Sequence, residues 1–216
     1  AWLTAPAPAT NAQVQTPWFT VVHDPARMGG LPAEVVFAGT GGKFEPHYWN
    51  DRLYHRDAGQ FYLRNDRQPK VQCLAAGPLC TVVRVAANYC GADGQPPASR
   101  PGATYDWYYF HHQPLVHVRC LVRQRAAFAW AEAHFLELGF PTNGFAHWAG
   151  GEPAEEGLFR GGDASHRFSR WGAVFDARGA RPAHEPVEMR AFLAQQQGID
   201  EAAHELVQLP GFVGVM

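Results

Sequence analysis

Hydrophobic and polar side chains alternate along residues 116–123 with the period of a β-strand. One side of this strand carries Val116, Val118, Cys120 and Val122. The other side carries His117, Arg119, Leu121 and Arg123. We therefore expect the first side to join a hydrophobic core and the second to present basic and histidine side chains.

The segments before and after this strand repeat the period of two. Before it, the residues that share a side are Tyr105, Trp107, Tyr109 and His111. After it, they are Trp130, Glu132, His134, Leu136 and Leu138. Residues 104–140 are thus predicted to form a sheet with one aromatic, basic and histidine-bearing concave face, on which a ligand would bind.

Most of the remaining chain also shows the pattern of short strands. They are predicted at residues 18–23, 34–38, 51–55, 60–64, 71–75, 81–89 and 169–176, with glycine and proline between them. This spacing predicts an all-β fold, an antiparallel β-sandwich, rather than βαβ units. Residues 186–209 have apolar positions near helical spacing, which predicts a short C-terminal helical segment.

Length and composition predict one domain with a linker-like start. A chain of 216 residues fits a single sandwich, assigned here to residues 17–216. Residues 1–16 are rich in alanine, proline and threonine and are expected to be a linker from a preceding domain.

The charge pattern bears on partners and location. The net charge of -2 is not the strongly positive charge typical of a nucleic-acid-binding protein. The sequence contains no run of 18 apolar residues, which a membrane-spanning helix would need. We expect a soluble extracellular or periplasmic protein whose export signal has been removed. Only two of the 18 basic residues are lysines, so most cations are guanidinium groups suited to carboxylates and sulfates. A codon bias toward arginine would give the same composition.

The cysteines indicate neither a metal site nor one disulfide pattern. Cys73, Cys80, Cys90 and Cys120 lack the spacing of a zinc site, and we expect no metal and no cofactor. In an exported protein Cys80 and Cys90 could join a strand pair, but four cysteines allow three full pairings. Buried free thiols fit the sequence equally well.

One stretch of strands resembles a known family. The sequence AAGPLCTVVRVAANY, followed after a glycine- and proline-rich loop by TYDWYYFHHQPLVHVRCLVRQ, is similar to the galactose-mutarotase-like supersandwich domains of polysaccharide lyases and some glycoside hydrolases. The resemblance covers residues 71–176 and implies a sandwich fold and a carbohydrate ligand. In that family the domain carries catalytic residues, lines a cleft beside a helical toroid, or serves as a scaffold. The resemblance therefore implies no single reaction.

The aromatic residues favour a carbohydrate ligand independently. Flat rings stack on the apolar faces of sugars, and the candidates are Trp107, Tyr109, Trp148 and Trp171. Trp148, between His147 and the glycines Gly150 and Gly151, is the candidate expected on a loop. The alternative is that these rings fill the interior of the sandwich.

The titratable residues allow more than one reaction. In uronide β-elimination, Tyr109 and His111 would serve as acid and base, Arg119 and Arg123 would neutralise the carboxylate, and His134 would assist. His111 could instead be an inert residue at a strand end. Glu132 with His134 resembles the glutamate and histidine of the mutarotase branch, and Glu132 could also be one of a hydrolase's two carboxylates.

A second candidate segment spans residues 159–176. Arg170 there would hold a uronate carboxylate, Trp171 would stack on the sugar, and His166 would add a polar contact. A hairpin with solvated charges explains the same residues.

Three classes of function remain open from the sequence. The first is a lyase-like carbohydrate-active enzyme domain that acts on a polysaccharide or oligosaccharide. The second is a noncatalytic sugar-binding or scaffold domain whose further partner is an adjacent catalytic domain. The third is a structural domain in which the aromatic residues form the core.

Overall fold

The computed structural model of the chain describes residues 12–38, 43–44, 48–141, 146–150, 155–159, 164–168, 171–177, 189–195, 204–209 and 212–215. The described residues form antiparallel strands, and their helical turns are short 3₁₀ turns at Met28–Gly30 and Leu63–Asn65. The predicted all-β, sandwich-like fold is confirmed.

The chain divides into two compact units. The first comprises Ala1–Glu45 and Trp49–Phe135, and the second comprises Pro46–Tyr48 and Leu136–Met216. The single domain over residues 17–216 stays a prediction. The first strand lies at residues 12–15, inside the segment whose composition suggested a linker, because Ala12 and Val14 alternate with polar residues and are buried.

The first unit contains two four-stranded antiparallel sheets. In chain order, one has β1 (Ala12–Gln15), β2 (Phe19–His23), β3 (Pro32–Phe37) and β4 (Lys43–Phe44). The other, in spatial order, has β10 (Val116–Arg123), β9 (Gly102–Phe110), β8 (Cys80–Asn88) and β7 (Lys70–Ala76). A hairpin of β5 (Tyr48–His55) and β6 (Gly59–Tyr62) and the beginning of β11 (Glu132–Pro141) complete the unit.

The second unit holds shorter strands. They are β12 (His147–Gly150), β13 (Glu155–Leu158), β14 (Ala164–Phe168), β15 (Trp171–Ala177), β16 (Met189–Gln195), β17 (His204–Leu209) and β18 (Phe212–Val215). One sheet has the order β13-β12-β15-β16. In the other, β14 pairs with β17, β17 pairs with β18, and β18 pairs with the end of β11.

The prediction of a helical segment at residues 186–209 is wrong for those of its residues that the structure describes. Met189–Gln195 and His204–Leu209 are strands, and β16 pairs with β15 over its whole length. Apolar spacing over a few residues does not distinguish a helix from a buried strand, and pairing with a neighbouring strand decides the conformation here. Residues 186–188 and 196–203 lie outside the described residues.

The core of the first unit lies between its two sheets. Val14 and Val21 from one sheet and Val83 and Val85 from the other are at most 3% exposed. Val14, Val21 and Val85 alternate with exposed or half-exposed neighbours, as expected for sheets buried on one face, whereas Val83 follows the buried Val82. The inner face of β9 is different, because it contributes Tyr105, Trp107 and Tyr109 to this core.

A buried histidine satisfies one of these tyrosines. His23 Nδ1 donates to the carbonyl of Gly30 at 2.9 Å, so Nε2 accepts from the Tyr109 hydroxyl at 2.6 Å. Gly30 has a φ of +82°, which glycine adopts without strain, and a Cβ there would lie 2.7 Å from Val71 Cγ2. Burial lowers the pKa of His23 to about 4, so this imidazole is neutral near pH 7.

A buried carboxyl group satisfies two more tyrosines. Asp51, 1% exposed, accepts hydrogen bonds from Tyr89 at 2.5 Å and from Tyr105. Burial, with Asp51 beside them, raises the pKa of both phenols well above their ordinary value. A polar group without such a partner in this core would cost several kcal/mol, roughly 2 to 7.

The four cysteines are free in the structure. Cys80 begins β8 and Cys90 lies just beyond its end, so roughly 30 Å of extended chain separates them. A disulfide needs Cα atoms within about 7 Å, so the Cys80–Cys90 pairing is excluded.

Two general features of the described residues bear on function classes. No helix among them has the length and apolar character needed to cross a membrane. In the same part of the chain, no three histidine, cysteine, aspartate or glutamate side chains converge as metal ligands would.

The burial of His23 predicts that the folded protein becomes less stable as the pH is lowered. Its pKa is about 4 in the folded chain against 6.5 in the unfolded one, so the unfolded state binds the proton more readily. The contribution is fully present above pH 6.5 and is lost as pH falls toward 4. We expect His23 to remove about 3 kcal/mol from the free energy of unfolding over that interval, measured by chemical denaturation at stepped pH.

The matched variant is His23→Gln, which cannot titrate. It is expected to be less stable than the parent at pH 7 but to show a shallower loss of stability on acidification. Equal pH slopes for the two proteins would contradict the assignment.

Candidate functional site

The strand register separates residues that the sequence placed on one face. Tyr109 pairs with Val116, and Trp107 pairs with Val118, so all four side chains point to the core side. Arg119 pairs instead with Asp106 on the opposite side. The single aromatic and basic face predicted for residues 104–140 is therefore wrong, because β9 turns its large rings inward.

Tyr109 and Trp107 are core residues. They are 1% and 5% exposed, and their rings stack with centroids 6.5 Å apart. Trp107 also meets Trp49 edge to face at 5.7 Å, and its buried Nε1 has no hydrogen-bond partner among the described residues. Neither ring is accessible for stacking on a sugar, and the Tyr109 hydroxyl is already occupied by His23.

His111 lies just beyond the end of β9 and is half-buried. Its Nε2 is 3.1 Å from the Thr81 hydroxyl, and its backbone N–H donates to the Leu79 carbonyl. The structure thus anchors His111 at the end of the sheet and does not bring it together with Arg119.

Arg119 and Arg123 lie on the exposed outer face of the β7–β10 sheet. Beside Arg119, Arg84 forms a two-pronged ion pair with Asp106, with distances of 2.6 and 2.7 Å. The hydrogen bonds from Arg84 and the charges of Arg84 and Arg119 lower the pKa of Asp106.

Glu132 and His134 meet an arginine that sequence analysis missed. Arg52 Nη2 lies 2.7 Å from Glu132 Oε2 and 2.8 Å from His134 Nε2. The His134 and Glu132 atoms are themselves 3.3 Å apart. We call Arg52, Glu132 and His134 the Arg52 cluster. Arg52 and His134 are partly covered, with side chains 17% and 22% exposed, whereas Glu132 is 49% exposed.

The contacts of His134 Nε2 fit two placements of its proton. A guanidinium group has donors only, so Nε2 accepts from Arg52 when the imidazole is neutral. A protonated Nε2 could not accept from Arg52 and would donate to Glu132 instead. The cluster therefore holds a basic nitrogen beside a cation that already binds a carboxylate.

Two tyrosines lie on the same face as Arg52. In the β5–β6 hairpin Arg52 pairs with Tyr62, and Tyr54 pairs with Gln60, so the four side chains share a side. Both tyrosines are half-buried. Arg64 lies over the Tyr62 ring at 4.3 Å from its centroid.

Trp130 does not join this face. Its ring contacts Phe61 at 5.8 Å and Phe128 at 4.8 Å, and its Nε1 donates to Gln124. Phe61 is next to Tyr62 along β6 and so points to the side opposite Arg52. The predicted common face of Trp130 with Glu132 and His134 is therefore wrong, because regular strand geometry begins only at Glu132.

The other candidates lie in the second unit. Trp148 was expected on a loop but belongs to β12, is 7% exposed and packs over Gly157. His166 lies in β14 and Trp171 begins β15, but their side chains are outside the described part of the structure. Arg170 is outside it entirely.

The missed residues carried only a weak local signal. Arg52, Tyr54 and Tyr62 lie in segments that the sequence predicted as strands, but nothing there indicates which strand they face. Their proximity to Glu132 and His134 depends on pairing between segments about 80 residues apart.

Comparison of the chain with models of protein families, with curated proteins and with solved structures finds no match. The resemblance to galactose-mutarotase-like domains thus stays an expectation from the sequence.

The placement of Tyr109 predicts that Tyr109→Phe affects stability alone. Removing the hydroxyl leaves His23 Nε2 buried without its donor, so we expect the free energy of unfolding to drop by about 1–3 kcal/mol. Any glycan binding or turnover that the parent shows, assayed well below the unfolding temperature, should be unchanged in the variant. A variant with parental stability but no turnover would show instead that Tyr109 acts in catalysis.

Proposed function

We propose that this chain is a carbohydrate-active domain that cleaves a uronate-containing polysaccharide by β-elimination at the Arg52 cluster. The observation that carries the proposal is the contact of one guanidinium with both a carboxylate and an imidazole. β-Elimination needs a cation on the substrate carboxylate, a base for the C5 proton and an acid for the leaving oxygen. The cluster and its neighbouring tyrosines supply these three kinds of group.

Arg52 is the carboxylate-binding residue in this proposal. Glu132 occupies Arg52 Nη2 in the free protein, and a uronate carboxylate would take its place with the same charge-assisted hydrogen bond. The bound cation draws electron density from the carboxylate and makes the C5 proton more acidic. Glu132, as the more exposed partner, can swing away at little cost.

His134 is the base, and a tyrosine is the acid. Nε2 takes the C5 proton, the C5–H electron pair becomes the C4–C5 double bond, and the C4–O bond breaks. The departing oxygen takes a proton from a phenol, for which Tyr54 and Tyr62 are the candidates on this face. After the product leaves, Glu132 returns to the position it has in the free protein, 3.3 Å from His134, and the protonated imidazole donates to it before losing its proton to solvent.

A noncatalytic glycan-binding role is the second candidate. It is favoured by the internal pairing of the cluster, in which each of the three side chains already has a partner. In that case Arg52 and the half-buried tyrosines would hold a sugar acid without bond cleavage.

The proposal predicts that His134→Ala abolishes turnover but not binding. Elimination forms an unsaturated uronide that absorbs near 235 nm, so the chain is screened against pectin, alginate, heparin, hyaluronan and ulvan by absorbance. Loss of the base is expected to lower kcat by about 10²- to 10⁴-fold on the active substrate. Arg52→Lys keeps the charge but loses the planar fork, and we expect it to raise KM and lower kcat.

His112→Ala is the matched control, since His112 is an exposed histidine beyond the end of β9. Its turnover should equal that of the parent. Binding of a uronate polymer without absorbance change would favour the noncatalytic role. Equal activity of His134→Ala and the parent would rule out the proposed base.

A further inference from the structure

The outer face of the β7–β10 sheet carries cationic side chains outside the Arg52 cluster. Register places Gln72, Arg84, Asp106 and Arg119 in one row across the four strands. Lys70 lies in a row with Leu121, and Arg123 ends β10 opposite Gly102. We call this surface the arginine face and define it by Lys70, Arg84, Arg119 and Arg123.

The arginine face has an excess of positive charge. Asp106 is its one carboxylate within these rows and is bound on both oxygens by Arg84. Asp66 lies near the Arg123 end, where it accepts two hydrogen bonds from Asn88. Lys70, Arg119 and Arg123 are exposed and form no ion pair with any described residue.

This concentration of charge contrasts with the chain as a whole, which is slightly acidic. Lys70 lies diagonally opposite Arg84 on the neighbouring strand, and a single carboxylate, Asp106, lies between Arg84 and Arg119, so an anion against this face would reduce the repulsion among its cations. The guanidinium group binds carboxylate and sulfate through paired hydrogen bonds, so arginine suits such an anion better than lysine.

The spacing of the arginines suits an extended ligand. Arg119 and Arg123 are four residues apart on one strand, roughly 13 Å, and Arg84 and Arg119 are two strands apart, roughly 10 Å. A single small anion could not contact all three. Next to the Arg84–Arg119 row, on the side away from Arg123, Tyr108 and His117 form a ring pair with centroids 5.6 Å apart, which offers a flat surface to a sugar.

We propose that the arginine face binds an extended anionic polysaccharide, with its carboxylate or sulfate groups on Arg119 and Arg123. The proposal deepens the proposed function, on which it rests for the choice of a glycan. It adds a polymer-binding surface separate from the Arg52 cluster. Polymer binding is measured without turnover. The arginine face can therefore prove not to bind a polymer while catalysis at the Arg52 cluster is confirmed, and polymer binding can be confirmed while catalysis is not.

The test is the affinity of the full chain for heparin and polygalacturonate, with neutral dextran as the uncharged polymer. The Arg119→Ala/Arg123→Ala double variant should bind the anionic polymers at least about tenfold more weakly, with a smaller dependence on salt. Arg119→Lys/Arg123→Lys should fall between it and the parent. The same comparison in the His134→Ala background should give the same ratio, whether or not the chain is catalytic.

Arg56→Ala/Arg67→Ala is the control, since it removes the same charge from two other exposed positions. Its affinity should stay at the parental value, and equal thermal unfolding midpoints confirm that each variant is folded. Equal weakening in the control and the test variant, or unchanged affinity in the test variant, would overturn the proposal. Binding of single-stranded DNA as tightly as heparin would overturn the assignment to a glycan.

Discussion

Two buried polar residues, His23 and Asp51, allow β9 to turn its tyrosines into the core. The hydroxyls of Tyr105 and Tyr109 would be costly there without these partners. Once this face of β9 is buried, strand alternation turns Asp106 outward, and register brings Arg84 and Arg119 to the same side. These hydrogen bonds therefore explain why β9 has its buried aromatic side chains on the inner face of the sheet and the charged side chains lie on the outer face.

The degree of burial distinguishes the structural histidine, His23, from His134, the histidine proposed to act on a ligand. His23 is enclosed and neutral because burial opposes its charged form. His134 is partly open and contacts both a cation and a carboxylate, so a ligand can reach its ring. Its setting, rather than its residue type, makes His134 the candidate for chemistry.

The sequence predicted the fold class and much of the strand pattern but not the site. The alternation of Val116, Val118 and Arg119 along β10 indicates a strand with distinct faces, as observed. The orientation of β9 was not predictable, because its tyrosines depend on His23 and Asp51, which are 86 and 54 residues away. Arg52 was missed for the same reason, since its partners lie on a distant strand.

NMR of the histidine side-chain nitrogens, during titration of the protein with a uronate oligosaccharide, distinguishes ligand chemistry at His134 from the confinement of His23 to the core. We expect the His134 signals to shift on binding and His23 to keep the neutral form with its proton on Nδ1 throughout. Shifts at His23, or binding that leaves His134 unmoved, would show that this division between the two histidines is wrong.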